Sequence, residues 1–143
     1  VSILVTLALR GATPEEMFKE VDTRCAARCA EFAVAWRKLP DAVSQPPEVV
    51  LVEGALGEGW VAKEAVARAM YRFWRSPDDF GRAVLTAVNT DGDSDTLGTI
   101  TGSLVGARLG RDAIPAKWRT GVEDSVYLHA LGTRLWQACH QVN

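Results

Sequence analysis

The stretch Asn89-Thr90-Asp91-Gly92-Asp93-Ser94-Asp95-Thr96-Leu97-Gly98-Thr99-Ile100-Thr101-Gly102-Ser103-Leu104-Val105-Gly106-Ala107-Arg108-Leu109-Gly110 reads as an acidic loop feeding a glycine-lined helix. Asp91, Asp93 and Asp95 stand at alternate positions with hydroxyls among them. Crowded hard oxygen donors repel one another, and a divalent cation such as Mg²⁺, Mn²⁺ or Ca²⁺ offsets that repulsion. The same side chains can instead cap free N–H groups at a helix start. Gly98, Gly102, Gly106 and Gly110 then recur every four residues. Each glycine inside a helix costs up to about 1 kcal/mol relative to alanine, so the stripe needs a compensation, and close approach of a second helix supplies one. The spacing predicts a central, tightly packed helix that holds the acidic cluster rigidly at its N-terminus.

Working outward, the other strong local signals are also helical. Thr13-Pro14-Glu15-Glu16 is a helix start: a hydroxyl cap, a proline in the first turn, then acids matched to the dipole. Met17, Val21, Cys25, Ala26, Cys29, Phe32 and Trp36 follow at helical spacing, which predicts one amphipathic helix ending near Leu39-Pro40, with Cys25 and Cys29 as buried thiols on one face. Ser76-Pro77-Asp78-Asp79 repeats the start signal, with Asp78 and Asp79 as caps and Phe80, Val84, Leu85 and Val88 as the buried face. A helix is expected between Trp60 and Arg75, and another from Val122 to Cys139 with Val126, Leu128, Leu131, Leu135 and Ala138 inward. Asp41 to Gly59, with Pro46, Pro47, Gly54, Gly57 and Gly59, is the least regular part; Val49 to Val52 fits a short strand or a buried helix. Trp36, Trp74, Trp118 and Trp136 read as core anchors, His129 and His140 as surface or satisfied residues, and Arg108 and Arg111 as solvated. The expected class is all-α, in a single domain over residues 1–143.

Composition narrows the function. With 143 residues and 48% hydrophobic content the chain can form one ordinary core. A formal net charge of −2 without a basic block argues against nucleic-acid binding. The apolar run from Ile3 to Leu9 is far short of the roughly 20 residues a membrane span needs. Three cysteines do not make a disulfide framework, and with two histidines they assemble no zinc quartet, so a reduced, cytoplasmic protein is expected. Val1-Ser2-Ile3-Leu4 reads as a start inside a helix, as in a partial protein.

Two acidic motifs can be discarded. An EF-hand loop beginning at Asp91 would put Thr96 where glycine is needed and Gly102 where a bidentate glutamate is needed. The Asp-x-Asp-x-Thr phosphotransfer motif fails because Asp95 and Leu97 stand where its threonine should be.

Gly92-Asp93-Ser94-Asp95-Thr96, Ile100-Thr101-Gly102, Leu104-Val105-Gly106-Ala107, Gly110, Ala113-Ile114-Pro115 and Trp118 together resemble the closing signature of the ADP-ribosylglycohydrolases. That family includes dinitrogenase reductase-activating glycohydrolase, the ADP-ribosylarginine hydrolases and the J-crystallins. Gly57-Glu58-Gly59-Trp60-Val61-Ala62, Ser76-Pro77-Asp78-Asp79-Phe80 and Ala87-Val88-Asn89 are similar to its run-up in order and spacing, and the likeness is dense from Gly57 to Leu135. The resemblance implies a compact all-helical domain with two Mg²⁺ or Mn²⁺ ions, Asp93, Asp95 and Thr96 as metal ligands, and Gly59 and Trp60 as substrate contacts. A Trp60 ring could stack on an adenine or ribose, or act as a hydrophobic staple. Ser94 fills a slot often held by threonine, and Asp91 one often held by glycine. The family's Thr-Asp-Asp type motif, which supplies its other metal ligands, does not occur here. The chain therefore resembles the carboxyl-terminal half of the domain, its missing N-terminal half being a partner in the site.

The expected function is metal-dependent hydrolysis of an ADP-ribosyl glycosidic bond, in an ADP-ribosylated protein side chain or a small ADP-ribose conjugate. No catalytic acid or base is assigned within this chain, which is expected to be inactive alone. A non-catalytic ADP-ribose binder or crystallin-like structural member, and a helical interaction module, are the alternatives.

Overall fold

The computed structural model describes residues 1–52 and 55–140, without the side chains of Glu48, Leu51, Val52 and His140. Gly54 in the irregular segment and the side chain of His140 thus lie outside the described residues. These residues form α1 (Ser2–Leu9), α2 (Pro14–Arg24), α3 (Ala30–Trp36), α4 (Leu39–Ser44), α5 (Pro47–Val52), α6 (Ala62–Arg75), α7 (Phe80–Val88), α8 (Ser94–Leu109), α9 (Ala116–Gly121) and α10 (Ser125–His140), and among them there is no strand. The all-α class is what the helical periodicity predicts. Val1–Ala113 make one compact unit and Ile114–Asn143 a second.

In the first unit α8 is the hub, packed against α1, α6 and α7. Its Leu97, Thr101, Leu104 and Val105 are buried, and the Thr101 hydroxyl donates to the Ala69 carbonyl of α6 at 3.5 Å. Ala65 and Ala69 of α6, Ala87 of α7 and Leu97 of α8 meet as one cluster, with Ile100 packed on it. Alanines on α6 and α7 permit this close meeting around Leu97. The glycine stripe faces α7: a β-carbon at Gly98 would stand 2.7 Å from Val88 Cγ1, one at Gly102 3.7 Å from Val84 Cγ2, and one at Gly106 3.5 Å from Phe80 Cε2. Only the first is a clash. Because α7 turns Phe80, Ala83 and Ala87 into the interior, Leu85 and Val88 end up exposed, contrary to the buried face expected from their spacing.

Caps end the helices where the sequence predicts them at two starts. Thr13 and Glu16 form a reciprocal capping box on α2, the Thr13 oxygen accepting from the Glu16 amide at 3.2 Å and the Glu16 carboxylate from the Thr13 amide at 2.8 Å. That pairing holds the Glu16 carboxyl below its ordinary range. Asp79 caps α7 by accepting from the Arg82 amide at 2.9 Å. Asp78 does not cap; it pairs with Arg108 at 3.0 Å, and Arg108 also donates to the Ala12 carbonyl, so that arginine is a tie between segments rather than a solvated side chain.

The single helix expected from Pro14 to near Leu39-Pro40 is broken. Cys25 is the C-cap of α2, its amide still donating to the Val21 carbonyl at 2.8 Å, a short 3-10 turn follows at Ala26–Arg28, and Cys29 is extended at φ −141° and ψ 103°. In a straight helix Phe18 and Trp36 would be about 27 Å apart at 1.5 Å per residue. Here their rings stack at 5.7 Å, and the Trp36 indole N–H donates to the Phe18 carbonyl at 3.2 Å. Burial of Trp36 thus overrides the periodicity, and Cys25 and Cys29 become a half-buried and an exposed free thiol instead of a buried pair. Trp74 sits at the core edge, its indole donating to Glu15 at 3.1 Å. The Val49–Val52 run belongs to helix α5, and Val50 is buried.

In the second unit Ser125 donates to the Arg119 carbonyl at 2.8 Å, linking α9 to α10. Val126, Leu128, Leu131, Leu135 and Trp136 are exposed, as are Ala138 and His129. The inward face expected for this helix and the core role expected for Trp136 are therefore not realised. Two turns of α9 are too little apolar surface to cover a helix of that length. Among the described residues no helix is long and apolar enough to cross a membrane.

The glycine geometry separates two substitutions that composition would treat alike. Gly98→Ala forces a β-carbon onto the stiff side chain of Val88 and is expected to destabilise the protein by about 1–3 kcal/mol. Gly102→Ala has ordinary contact distance and is expected to be neutral or stabilising by up to ~1 kcal/mol. Urea denaturation of the two variants checks the order.

Candidate functional site

The acidic loop and the Gly57–Trp60 loop lie against each other in the first unit. Gly92 is what allows it: a β-carbon there would overlap the Glu58 carbonyl oxygen. Gly59 completes the fit from the other side. It is buried with φ +94°, a left-handed conformation that favours glycine, and its α-carbon faces Leu97, whose side chain would touch a β-carbon at 3.4 Å. The sequence-predicted substrate residues Gly59 and Trp60 are thereby brought to the head of α8, where the predicted metal ligands stand.

Asp93 is the N-cap of α8. Its Oδ1 accepts from the Thr96 amide at 3.3 Å, and Asp95 Oδ1 accepts from the same amide at 3.0 Å. The Asp93 carboxyl also meets the side chains of Asp95 and Thr96, and these hydrogen bonds, the Asp95 contact foremost, hold it below the usual carboxylate range. Asp93, Asp95 and Thr96 therefore meet on one turn, with both carboxyl groups near the positive end of the helix dipole. The donor set is two carboxylates and a hydroxyl, all hard oxygens, which suits Mg²⁺ or Mn²⁺. It does not fill a coordination shell: among the described residues no three His, Cys, Asp or Glu side chains gather as a metal cluster. Asp91 is exposed beside the group.

Trp60 is 65% exposed and its indole N–H donates to Glu58 Oε2 at 3.2 Å. The ring stands out in solvent instead of folding onto α6 as a staple, so its face is accessible. Beneath it, Glu64 of α6 reaches back, Oε2 accepting from the Glu58 and Gly59 amides at 3.1 and 3.2 Å. These amides precede the helix, so Glu64 acts as a displaced capping box for the loop.

Arg68 and Arg72, one turn apart on α6, are both buried, and only Arg68 reaches the loops of the site. Arg68 donates to the Gly57 carbonyl and, at 2.9 Å, to the Thr90 hydroxyl. Burial lowers its pKa, while Glu58 and Glu64 act in the opposite sense. Arg72 donates to the Thr86 carbonyl at the end of α7 at 2.8 Å; burial, with the Arg68 charge adding to it, pushes this guanidinium down to about 10. A signal was available: Ala65, Arg68, Ala69, Arg72 and Phe73 follow each other by three, one, three and one residues, which places both cations on the inward stripe.

Because the loop contact is backbone against backbone, Gly92→Ala is expected to destabilise the protein by about 1–3 kcal/mol. It should also change the exposure of Trp60. Urea denaturation and acrylamide quenching of tryptophan fluorescence check this; an unchanged midpoint and quenching constant would contradict the contact.

Comparison with known proteins bears on the same residues. The chain is 28% identical over 137 residues to an uncharacterized protein of Archaeoglobus fulgidus, an alignment covering 96% of this chain and 43% of that protein. It is 33% identical over 96 residues to ADP-ribosylhydrolase ARH3 of Homo sapiens, covering 60% of this chain and 26% of that protein, and 32% identical over 90 residues to ARH3 of Gallus gallus, covering 56% and 24%. The chain thus spans less than half the length of these relatives. No solved structure matches it. The sequence profile of the ADP-ribosylglycohydrolases matches residues 1–143 in full, and this chain, with its acidic turn, glycine-lined helix and glycine-tryptophan loop, belongs to the ADP-ribosylglycohydrolase family.

Proposed function

We propose that this chain contributes part of the site of a metal-dependent hydrolase that cleaves an ADP-ribosyl glycosidic bond. The substrate would be an ADP-ribosylated protein side chain or a small ADP-ribose conjugate. Asp93, Asp95 and Thr96 hold Mg²⁺ or Mn²⁺, and Gly59 and Trp60 contact the substrate. The observation that carries this reading is the convergence of three oxygen donors on the first turn of α8, directly against a loop that presents an open indole. Family membership narrows the chemistry to ADP-ribosyl bonds.

When bound, a hard divalent cation supplies charge stabilisation and a more acidic water. The chain's own residues do the rest of its share. Hydrogen bonds to Asp95 and Thr96 hold the Asp93 carboxyl below its usual range, which favours it as a ligand, with Asp95 and Thr96 completing a three-oxygen face. Trp60 offers a flat apolar face that suits an adenine or a ribose, held at its N–H by Glu58. Gly59, in a left-handed conformation and seated on Leu97, fixes the backbone from which Trp60 projects. The remaining ligands of a two-ion site, and the acid/base carboxylate, come in this reading from the N-terminal half of the domain, so that the isolated chain is inactive. Three free thiols favour a reducing, cytoplasmic setting.

Calorimetric titration of the complete gene product with Mg²⁺ and Mn²⁺ tests this. Binding is expected in the wild type, to be abolished by Asp93→Ala and by Asp95→Ala, and to persist in Asp91→Ala. Unchanged binding in both the Asp93 and Asp95 variants would remove the metal from this turn and the hydrolase reading with it.

A further inference from the structure

Arg68 is a cation in an apolar interior, with 3% of its surface exposed. It has no direct ion pair among the described residues, and its Nε has no hydrogen-bond partner there. Burying a charge under these conditions is costly, and an apolar side chain of similar volume would fill the same space at less cost. What the guanidinium does that an apolar group could not is bridge. One Nη donates to the Gly57 carbonyl and the other to the Thr90 hydroxyl at 2.9 Å. The planar fork fixes the separation of those two acceptors. Gly57 lies just ahead of Gly59 and Trp60; Thr90 lies just ahead of Asp93 and Asp95.

We propose that Arg68 is a positioning residue that sets the spacing between the Trp60 loop and the oxygen donors at the head of α8, and hence the fit of a ligand lying across both. The inference rests on the functional reading above. It assigns Arg68 no contact with substrate or metal. Its action runs through Gly57 and Thr90. Arg72 provides a built-in comparison: it is as deeply buried on the same stripe, but its bonds run to the Thr86 carbonyl and back to the Arg68 carbonyl, not to either loop.

The test uses the complete gene product in five forms: wild type, Arg68→Lys, Arg68→Met, Thr90→Val and Arg72→Met. Free ADP-ribose is titrated into each with saturating Mg²⁺, Mn²⁺ affinity is measured separately, and thermal midpoints are recorded. Misplacement of a positioned group by about 1 Å costs on the order of 10²-fold. ADP-ribose affinity is therefore expected to fall ~10-fold to 10²-fold in Arg68→Met and Thr90→Val, and less in Arg68→Lys, which keeps one donor. Arg72→Met is expected to lower the thermal midpoint while leaving ADP-ribose affinity at the wild-type value. Wild-type affinity in Thr90→Val, or an equal loss in Arg72→Met, overturns the proposal by making Arg68 merely structural. Thr90→Val decides alone if Arg68→Met does not fold. Wild-type protein that binds Mn²⁺ but not ADP-ribose, or neither, strikes the functional reading itself, and the role of Arg68 falls with it.

Discussion

Along α8, Gly98, Gly102 and Gly106 let α7 settle so close that Val88, Val84 and Phe80 approach the places where β-carbons would stand, and ahead of the helix Gly92 does the same for the Glu58 carbonyl. The rest of the first unit follows from this series of close approaches. With α7 drawn in, its Ala83 and Ala87 are buried, as are Ala65 and Ala69 of α6 and Leu97 and Leu104 of α8. With the Glu58 loop drawn in, Gly59 rests on Leu97 and the exposed indole of Trp60 bonds to Glu58 of the same loop. A rigid hub is what a set of first-turn oxygen donors requires, because ligand geometry must be held before an ion arrives.

Charge is distributed in an unusual way around that hub. Two arginines are buried in α6, and the acids that attract Arg68, Glu58 and Glu64, lie at the loop above it. The loops are consequently fixed by polar groups at three heights: Glu64 on the Glu58 and Gly59 amides, Arg68 on Gly57 and Thr90, and Glu58 on the Trp60 indole. Asp93 and Asp95 remain at the surface end of the arrangement, sharing the Thr96 amide. Positive charge inside and negative charge at the rim suit a site that takes up a cation at its edge.

Much of this was legible in the residues. The caps at Thr13 and Asp79, the all-α class, and the central position of the glycine-lined helix are local signals with a mechanism: a hydroxyl or carboxylate accepting free amides, and helices that need room to approach. The acidic turn is legible as a cap, Asp93 and Asp95 both accepting from the Thr96 amide. What escaped depends on distant partners. The break at Cys25–Cys29 comes from Trp36 folding back on Phe18, residues whose contact no window of helical spacing contains. Asp78 was read as a cap because its local context is a helix start, yet its partner Arg108 lies thirty residues on. Arg68 and Arg72 carry no local signal of burial beyond the alanines interleaved with them, since a charged side chain is normally exposed. The exposed apolar side chains of α10 mark the opposite limit: periodicity identifies the helix, but what covers its face is not written in it.

Crystals of the complete gene product soaked with Mn²⁺ and measured at the manganese absorption edge test the central claim most directly. The account predicts an anomalous peak within ligand distance of Asp93, Asp95 and Thr96. A manganese peak elsewhere, with these three side chains engaged only as helix caps, would contradict it.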